Sequence, residues 1–137
     1  MGMISLKELY YGIARSVNGI CDKTYYKNRP KSVDERLNSY MVITLPSGIY
    51  NKEMDYKGSY NYYTTSVHLY IYVRQSASSR NMNAPDIKGI DGKVSDVMKV
   101  FPIDDDHIHV SHPEIVIQAD DGSGFDVVCI HADLTTK

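Results

Sequence analysis

The chain has 137 residues, of which 42% are hydrophobic and 23% charged, and its formal net charge is −2. This length suits one domain with a core of its own, and the composition is that of a globular chain rather than a disordered one. Because a protein that neutralises many phosphates needs an excess of Lys and Arg, the charge argues against a specific nucleic-acid partner.

The first predicted element is an amphipathic helix over residues 5–20. Ser5 suits the N-cap, and Glu8 follows three residues later, which is the spacing of a capping box. Apolar side chains recur three and four residues apart along this segment, so they form one stripe that is expected to face the core. The stripe consists of Leu6, Leu9, Tyr10, Ile13, Val17 and Ile20.

The next segment, 22–39, is polar and predicts a long loop, within which 32–37 could form a short helical turn. An apolar run at 40–45 then predicts a short strand. Residues 50–60 are polar again, with a turn predicted near 58–59.

The strongest strand pattern in the chain spans 62–74. Its side chains alternate between two faces, because successive residues of a strand point in opposite directions. The odd-numbered face is aliphatic and is expected to meet the core, whereas the even-numbered face is aromatic and polar and is expected to meet water or another subunit. The odd-numbered face carries Tyr63, Thr65, Val67, Leu69, Ile71 and Val73, and the even-numbered face carries Tyr62, Thr64, Ser66, His68, Tyr70, Tyr72 and Arg74.

Residues 75–84 are rich in Ser and Asn and predict a flexible linker. A second helix is predicted over about 86–101, where apolar residues again form one stripe and Pro102 marks the end. The stripe consists of Ile87, Ile90, Val94, Val97 and Phe101.

The last third of the chain predicts strands at 107–111 and 114–119, a turn at 120–124 and a return strand at 125–134. Strands that are segregated around two helices are typical of an α+β fold. We therefore expect a single domain over residues 1–137, with a mostly antiparallel sheet and two helices packed on one of its faces.

Three acids and three histidines lie close together in the stretch DDDHIHVSH, residues 104–112. In the predicted strand, His107 and His109 share one face, and continued pleating would place His112 on the other. Two imidazoles with Asp104 or Asp106 would make a three-ligand metal site. The simpler interpretation is a solvated sheet edge after an acidic turn, because acids suit the turn that follows a helix.

A second cluster of reactive residue types is the run Cys129, His131 and Asp133. Neighbours two apart on a strand hold their side chains roughly 6–7 Å apart, which is too far for a nucleophile and its base. A buried cysteine beside a wet histidine is therefore expected. Cys21 and Cys129 are predicted to be two reduced thiols, since one distant pair is a weak disulfide signal.

Known catalytic and cofactor motifs such as GxSxG, the P-loop and GxGxxG are missing from the sequence, so we expect neither an enzyme nor a bound cofactor. Lys7 and Glu8 interrupt the apolar residues near the start of the chain, and no run of about 18 apolar residues follows. We therefore expect no signal peptide and no contact with a membrane.

The layout of the chain resembles the tail-terminator and tail-completion proteins of long-tailed bacteriophages and prophages. The resemblance rests on a capped helix, a polar loop with Arg29 and Pro30, the segment YMVITLPSG, a long alternating strand that ends in YIYVRQ, a helix that ends in MKVFP, and a final hairpin. It implies a small α+β protein without enzymatic activity that forms a ring, often of six subunits, at the end of the tail tube.

The resemblance also implies a strand that faces the neighbouring subunit, which we assign to Tyr62, Tyr70, Tyr72 and Arg74. The expected partners are further copies of the chain and other tail or neck proteins, in the cytoplasm of a bacterial host or in the virion. Two alternatives are a metal-binding protein or metal-dependent enzyme at the histidine-rich stretch, and a small ligand- or peptide-binding module that uses the aromatic face.

Overall fold

The computed structural model describes residues 5–31, 36–54, 60–76, 88–118 and 122–136, with the backbone alone at 50–54, 60–62 and 88. Two helices and seven strands make up these parts of the chain. The helices are α1 (Leu6–Val17) and α2 (Lys88–Met98). The strands are β1 (Lys23–Tyr26), β2 (Ser39–Thr44), β3 (Tyr50–Met54), β4 (Tyr60–Arg74), β5 (Ile103–Asp104), β6 (Ile108–Ile117) and β7 (Phe125–Thr136).

The sheet is mostly antiparallel, as predicted. Its strand order is β1-β2-β4-β7-β6-β5, and only β1 and β2 run parallel to each other. Strand β4 is long enough to pair with β2 through its second half and with β3 through its first half, and it pairs with β7 along its other edge. The prediction of a single-domain α+β fold is confirmed.

Both helices cover the same face of this sheet, which we call the helix face. In α1, the hydroxyl of Ser5 accepts a hydrogen bond from the backbone N–H of Glu8 at 3.3 Å, which confirms the predicted N-cap. The described helices include none that is long and apolar enough to cross a membrane. The core between helices and sheet includes Leu9, Ile13, Val17, Met41, Ile43, Val67, Leu69, Ile71, Ile90, Val97, Val110, Ile130 and Leu134.

Three edge strands were missed by the sequence analysis, β1, β3 and the two-residue strand β5. Residues 22–39 contain β1 and residues 50–60 contain β3, where we expected a polar loop and a polar connection. Strand β1 lies at the end of the sheet and forms its ladder hydrogen bonds with the apolar strand β2. An edge strand has little to bury, so it shows no clean alternation of apolar residues. The helical turn expected at 32–37 falls mostly outside the described residues.

The predicted linker at 75–84 and the turn near 58–59 also lie largely or wholly outside the described residues. Gln75 is described, and it is held in place: its backbone N–H donates to the carbonyl of Gly124 at 2.9 Å and its side-chain amide donates to Asp126 at 3.3 Å. These bonds tie the end of β4 to the start of β7.

The close approach of α1 to the sheet predicts a contrast between two helical glycines. A Cβ atom added at Gly12 would lie 2.9 Å from Cδ1 of the buried Ile108, whereas one added at Gly92 would meet nothing within 4 Å. We expect Gly12→Val to lower the free energy of unfolding by about 1–3 kcal/mol through overpacking. Gly92→Val is the matched control and should change it by less than about 0.5 kcal/mol, because valine and glycine differ little in helix propensity. Urea unfolding of both variants measures the difference, and equal losses would contradict the packing of α1 on β6.

Candidate functional site

The face of the sheet opposite the helices, which we call the open face, carries most of the chemically distinctive side chains. Strands β4 and β7 pair without interruption from Thr64 opposite Thr135 to Arg74 opposite Phe125. The even-numbered residues of β4 therefore stand beside the odd-numbered residues of β7 on this face. The prediction that the odd-numbered face of β4 meets the core is confirmed by the burial of its Val67, Leu69 and Ile71 positions.

One end of the open face is an aromatic cluster, which consists of the buried residues Tyr40, Val42, Tyr72, Phe125 and Val127. The rings of Tyr40 and Tyr72 are stacked, with centroids 4.4 Å apart and planes at 7°, and Phe125 meets Tyr40 edge-on at 5.1 Å. This end of the open face is thus a second small core rather than a wet surface.

The aromatic cluster reduces the side-chain surface that the predicted subunit interface leaves for a partner. Tyr72 is buried within the chain, so it has little surface left for a partner. Arg74 is exposed but engaged, because its guanidinium donates two hydrogen bonds to the carbonyl of Leu37 and lies 4.7 Å from the ring of Phe125. Tyr70 is half-buried and hydrogen-bonded to Cys129. The side chain of Tyr62 lies outside the described residues.

Next to the aromatic cluster is a histidine–cysteine cluster, formed by His68, Cys129 and His131. Each of the three residues offers one ligand atom, and these atoms all lie within 4.8 Å of one another. It is the one group of three or more potential metal ligands found among the described residues. The cluster joins β4 to β7, whose pairing places His68 directly opposite His131.

The two imidazoles of this cluster stack on each other. Their ring centroids are 3.7 Å apart and their planes are nearly parallel, at 4°. Burial first, and then repulsion by the His131 ring, hold the pKa of His68 below its usual value. Both effects disfavour a charged imidazole, so at neutral pH His68 presents an uncharged ring with a nitrogen lone pair.

Cys129, the third member of the cluster, is fully buried. Burial raises the pKa of its thiol to about 12, although hydrogen bonds from Tyr70 and the backbone of Leu69 act in the opposite direction. The thiol is therefore protonated at neutral pH, which makes it a poor nucleophile. The prediction of a buried cysteine at position 129 is confirmed, whereas His131, which was expected to be wet, is half-buried.

The second cysteine lies elsewhere. Cys21 is buried in the core under the helices, and both cysteines are free. Burial also raises the pKa of the Cys21 thiol, with smaller effects of Lys93, Ser39 and Asp22. The prediction of two reduced, buried thiols is confirmed.

The stretch DDDHIHVSH is only partly the strand that we predicted. Strand β6 begins at Ile108, so His107 lies in the preceding turn rather than beside His109 on a strand. That turn is closed by Asp105, whose carboxylate accepts backbone hydrogen bonds from His107 at 2.7 Å and Ile108 at 2.8 Å. Burial raises the pKa of Asp105, but these two bonds and the electrostatic effects of His107 and Arg15 together lower the pKa overall. Asp104 lies in the short strand β5, which we did not predict.

Two of the predicted metal ligands do meet. Nδ1 of His109 is 3.4 Å from a carboxylate oxygen of Asp104, in a pair that is about half exposed. Within the described residues they are not joined by His107 or Asp106 in a group of three ligands. An exposed pair of this kind stabilises a protein little.

The side chain of His112 lies on the open face, whereas regular alternation along the strand predicts the helix face. Strand β6 continues from Ile108 to Ile117 as one element, but its register with β7 shifts between Ser111 and Glu114. His112 has a φ of 56°, in the left-handed region, and this irregularity brings its ring 3.6 Å from the carboxylate of Asp133. Asp133 belongs to the open face, so the strict alternation that we assumed was wrong at this position.

Comparison with known proteins leaves the family of this chain open. No family model matches the sequence, and no curated protein matches it either.

Proposed function

We propose that the chain is a structural subunit that assembles head to tail into a ring, of the kind that closes the tail of a long-tailed phage or prophage, and that docks onto tail or neck proteins. The layout of the sequence supports the tail-terminator identity. The single observation that carries self-association is that the sheet ends in two edges of opposite charge.

Among the described strands, both ends of the sheet keep main-chain groups that no further strand pairs with. Strand β1 is the last strand at one end, and β2 occupies only one of its edges. At the other end, β5 pairs with His109 and Val110 alone, so the described strands leave the outer edge of β6 uncovered beyond Val110. Ile115 and Ile117 lie in this part of β6 and are 46% and 79% exposed. An exposed edge with apolar side chains favours pairing with another chain.

The two edges differ in charge. On the side of β1 the described residues include an exposed set of cations, Lys23, Lys27, Arg29 and Lys31. On the side of β5 and β6 they include an exposed set of acids, Asp104, Asp106 and Glu114. Arg15 lies near Asp105 and offsets part of the acidic charge.

Opposite charges at opposite ends favour contact between unlike edges. A contact between two different surfaces of identical subunits is heterologous, and it generates a ring when the rotation between subunits closes. In such a ring, the β1 edge of one subunit would contact the β5/β6 edge of the next subunit. The attraction between these oppositely charged edges would steer the approach of the subunits.

The assembly is tested by reversing the charge of each edge separately. One variant carries Lys23→Glu, Lys27→Glu and Lys31→Glu, and the other carries Asp106→Lys and Glu114→Lys. Each variant alone should lose self-association, because both of its edges then have the same sign. Mixing the two variants should restore it, since each contact between a copy of one variant and a copy of the other joins edges of opposite charge. Light scattering measures the mass at low salt, and electron microscopy shows whether the particles are rings.

Salt is the second control on this proposal. The Debye length falls from about 10 Å at 0.1 M to about 3 Å at 1 M ionic strength. Oligomers held together by attraction between exposed charged edges should therefore dissociate, and their mass should fall, as the salt concentration rises. A wild-type chain that stays monomeric at every concentration in low salt would contradict self-association. Particles that form but do not respond to either charge reversal would contradict the proposed edges.

A further inference from the structure

We infer that His68, Cys129 and His131 form a zinc-binding site on the open face of the sheet, in which one thiolate and two imidazoles hold the ion. The inference is independent of assembly, because the three residues lie on the central strands β4 and β7 and not on the two charged edges.

The distances between ligand atoms are close to those that zinc requires. Zinc binds imidazole nitrogen at about 2.0–2.1 Å and thiolate sulfur at about 2.3 Å, so the ligand atoms of a tetrahedral site lie about 3.3–3.7 Å apart. In the structure the ligand atoms are all within 4.8 Å of one another. Shifts of about 1 Å, which rotations of side chains supply, would therefore close the site.

The backbone that carries the ligands is fixed. Strands β4 and β7 are paired on both sides of the cluster, and His68 stands directly opposite His131 in their register. Cys129 lies two residues from His131, so both project to the same face of β7. Ligands placed on rigid strands hold a site more precisely than ligands on loops.

The two imidazole rings are partly exposed, whereas the cysteine is buried. His68 and His131 are both half-buried, so either imidazole can turn out of the parallel stack and aim a nitrogen at a shared ion. The sulfur of Cys129 is buried at the base of the cluster and gives the ion a fixed point. On binding, the proton of the thiol leaves to solvent and the sulfur becomes an anionic ligand.

The ligand types select the class of metal. Calcium and magnesium take oxygen ligands, whereas a set of thiolate and imidazole suits zinc and its neighbours in the first transition row. Three protein ligands leave a fourth tetrahedral position, which faces solvent here because the histidines form the outer part of the cluster. The bound ion would also tie β4 to β7 and stabilise the folded chain, by an amount that grows with the logarithm of the zinc concentration once that concentration exceeds the Kd.

The site is tested on the full chain without a polyhistidine tag, after removal of metal by a chelator. Cobalt serves as the first probe, because tetrahedral Co²⁺ bound by a thiolate gives a sulfur-to-metal charge-transfer band and intense visible bands. We expect one Co²⁺ per chain with both sets of bands, and displacement of the cobalt by one equivalent of Zn²⁺. Elemental analysis of the zinc-loaded protein should give the same stoichiometry.

Three variants assign the ligands. His68→Gln and His131→Gln should each weaken zinc binding by more than about 100-fold, since even partners outside the coordination sphere contribute 10–100-fold. Cys129→Ser should abolish the charge-transfer band, and circular dichroism shows whether it folds. His107→Gln removes an exposed histidine outside the cluster and should leave binding unchanged.

The outcomes separate the site from incidental binding. A folded wild-type chain that takes up no stoichiometric zinc, or that binds cobalt without the charge-transfer band, would overturn the inference. So would His68→Gln and His131→Gln variants that bind zinc as tightly as the wild type. If Cys129→Ser fails to fold, these two variants at half-buried positions still decide the question.

Discussion

Truncation of Leu69 to alanine is expected to lower the free energy of unfolding by about 2–5 kcal/mol. Leu69 is fully buried in the middle of β4, with Ile43 opposite it on β2 and Ile130 opposite it on β7. Both neighbouring strands are fixed by their own backbone hydrogen bonds, so they cannot collapse into the space that the leucine leaves. The loss of buried apolar surface and the cavity therefore act together.

Leu6→Ala is the matched control for this prediction, because it makes the same chemical change at a position in α1 that is 55% exposed. Surface substitutions of this kind usually stay within about 0.5 kcal/mol. Urea unfolding gives both values from the midpoint and the slope of the transition. If the two variants lost similar amounts of stability, the burial of Leu69 between the helices and the sheet would be wrong.

Elements whose signal is local in the sequence were predicted well. The capped stripe of α1, the apolar run of β2 and the alternation along β4 each follow from the residues of the element itself. The structure contains all three, although Leu6, the first residue of the α1 stripe, is exposed. The same is true of the face of β4 that meets the core. Periodicity and caps act over a few residues, so they need no knowledge of the partner strand.

The histidine–cysteine cluster depends on information that is not local. The sequence placed His68 on the outer face of one strand and His131 beside Cys129 on another, but it could not show that these two strands pair. Their partners lie far apart along the chain, and the register of a pair is set by the packing of the whole face. A cross-strand cluster therefore becomes visible only once the sheet is assembled.

His112 shows a different limit. Alternation predicts the side of a strand only while pairing is regular, and one irregularity reverses every position after it. One extra residue in β6 between Ser111 and Glu114, where His112 and Pro113 lie, produces such a reversal. Three of the histidines in question, His68, His109 and His131, nevertheless lie where simple alternation puts them.

The aromatic cluster leads to the second large expected effect. Tyr40→Ala should lower the free energy of unfolding by about 3–5 kcal/mol, which is the range for truncation of a buried aromatic residue. Tyr40 is fully buried, and its ring is stacked on Tyr72 and met edge-on by Phe125 and Tyr25. Its removal would expose the aromatic rings that contact it from β1, β4 and β7, so one substitution would disrupt the whole aromatic cluster.

Tyr11→Ala is the control for Tyr40→Ala, since Tyr11 is 41% exposed on a helix, where alanine is favoured. It should cost no more than about 1 kcal/mol, including its edge-on contact with Tyr26. A double-mutant cycle between Tyr40 and Tyr72 should give a coupling of about 0.5–1.5 kcal/mol, as expected for an aromatic pair in contact. A loss for Tyr40→Ala no greater than that for Tyr11→Ala would mean that the open face is wet at this end. In that case Tyr72 would regain the exposed surface that the predicted subunit interface requires.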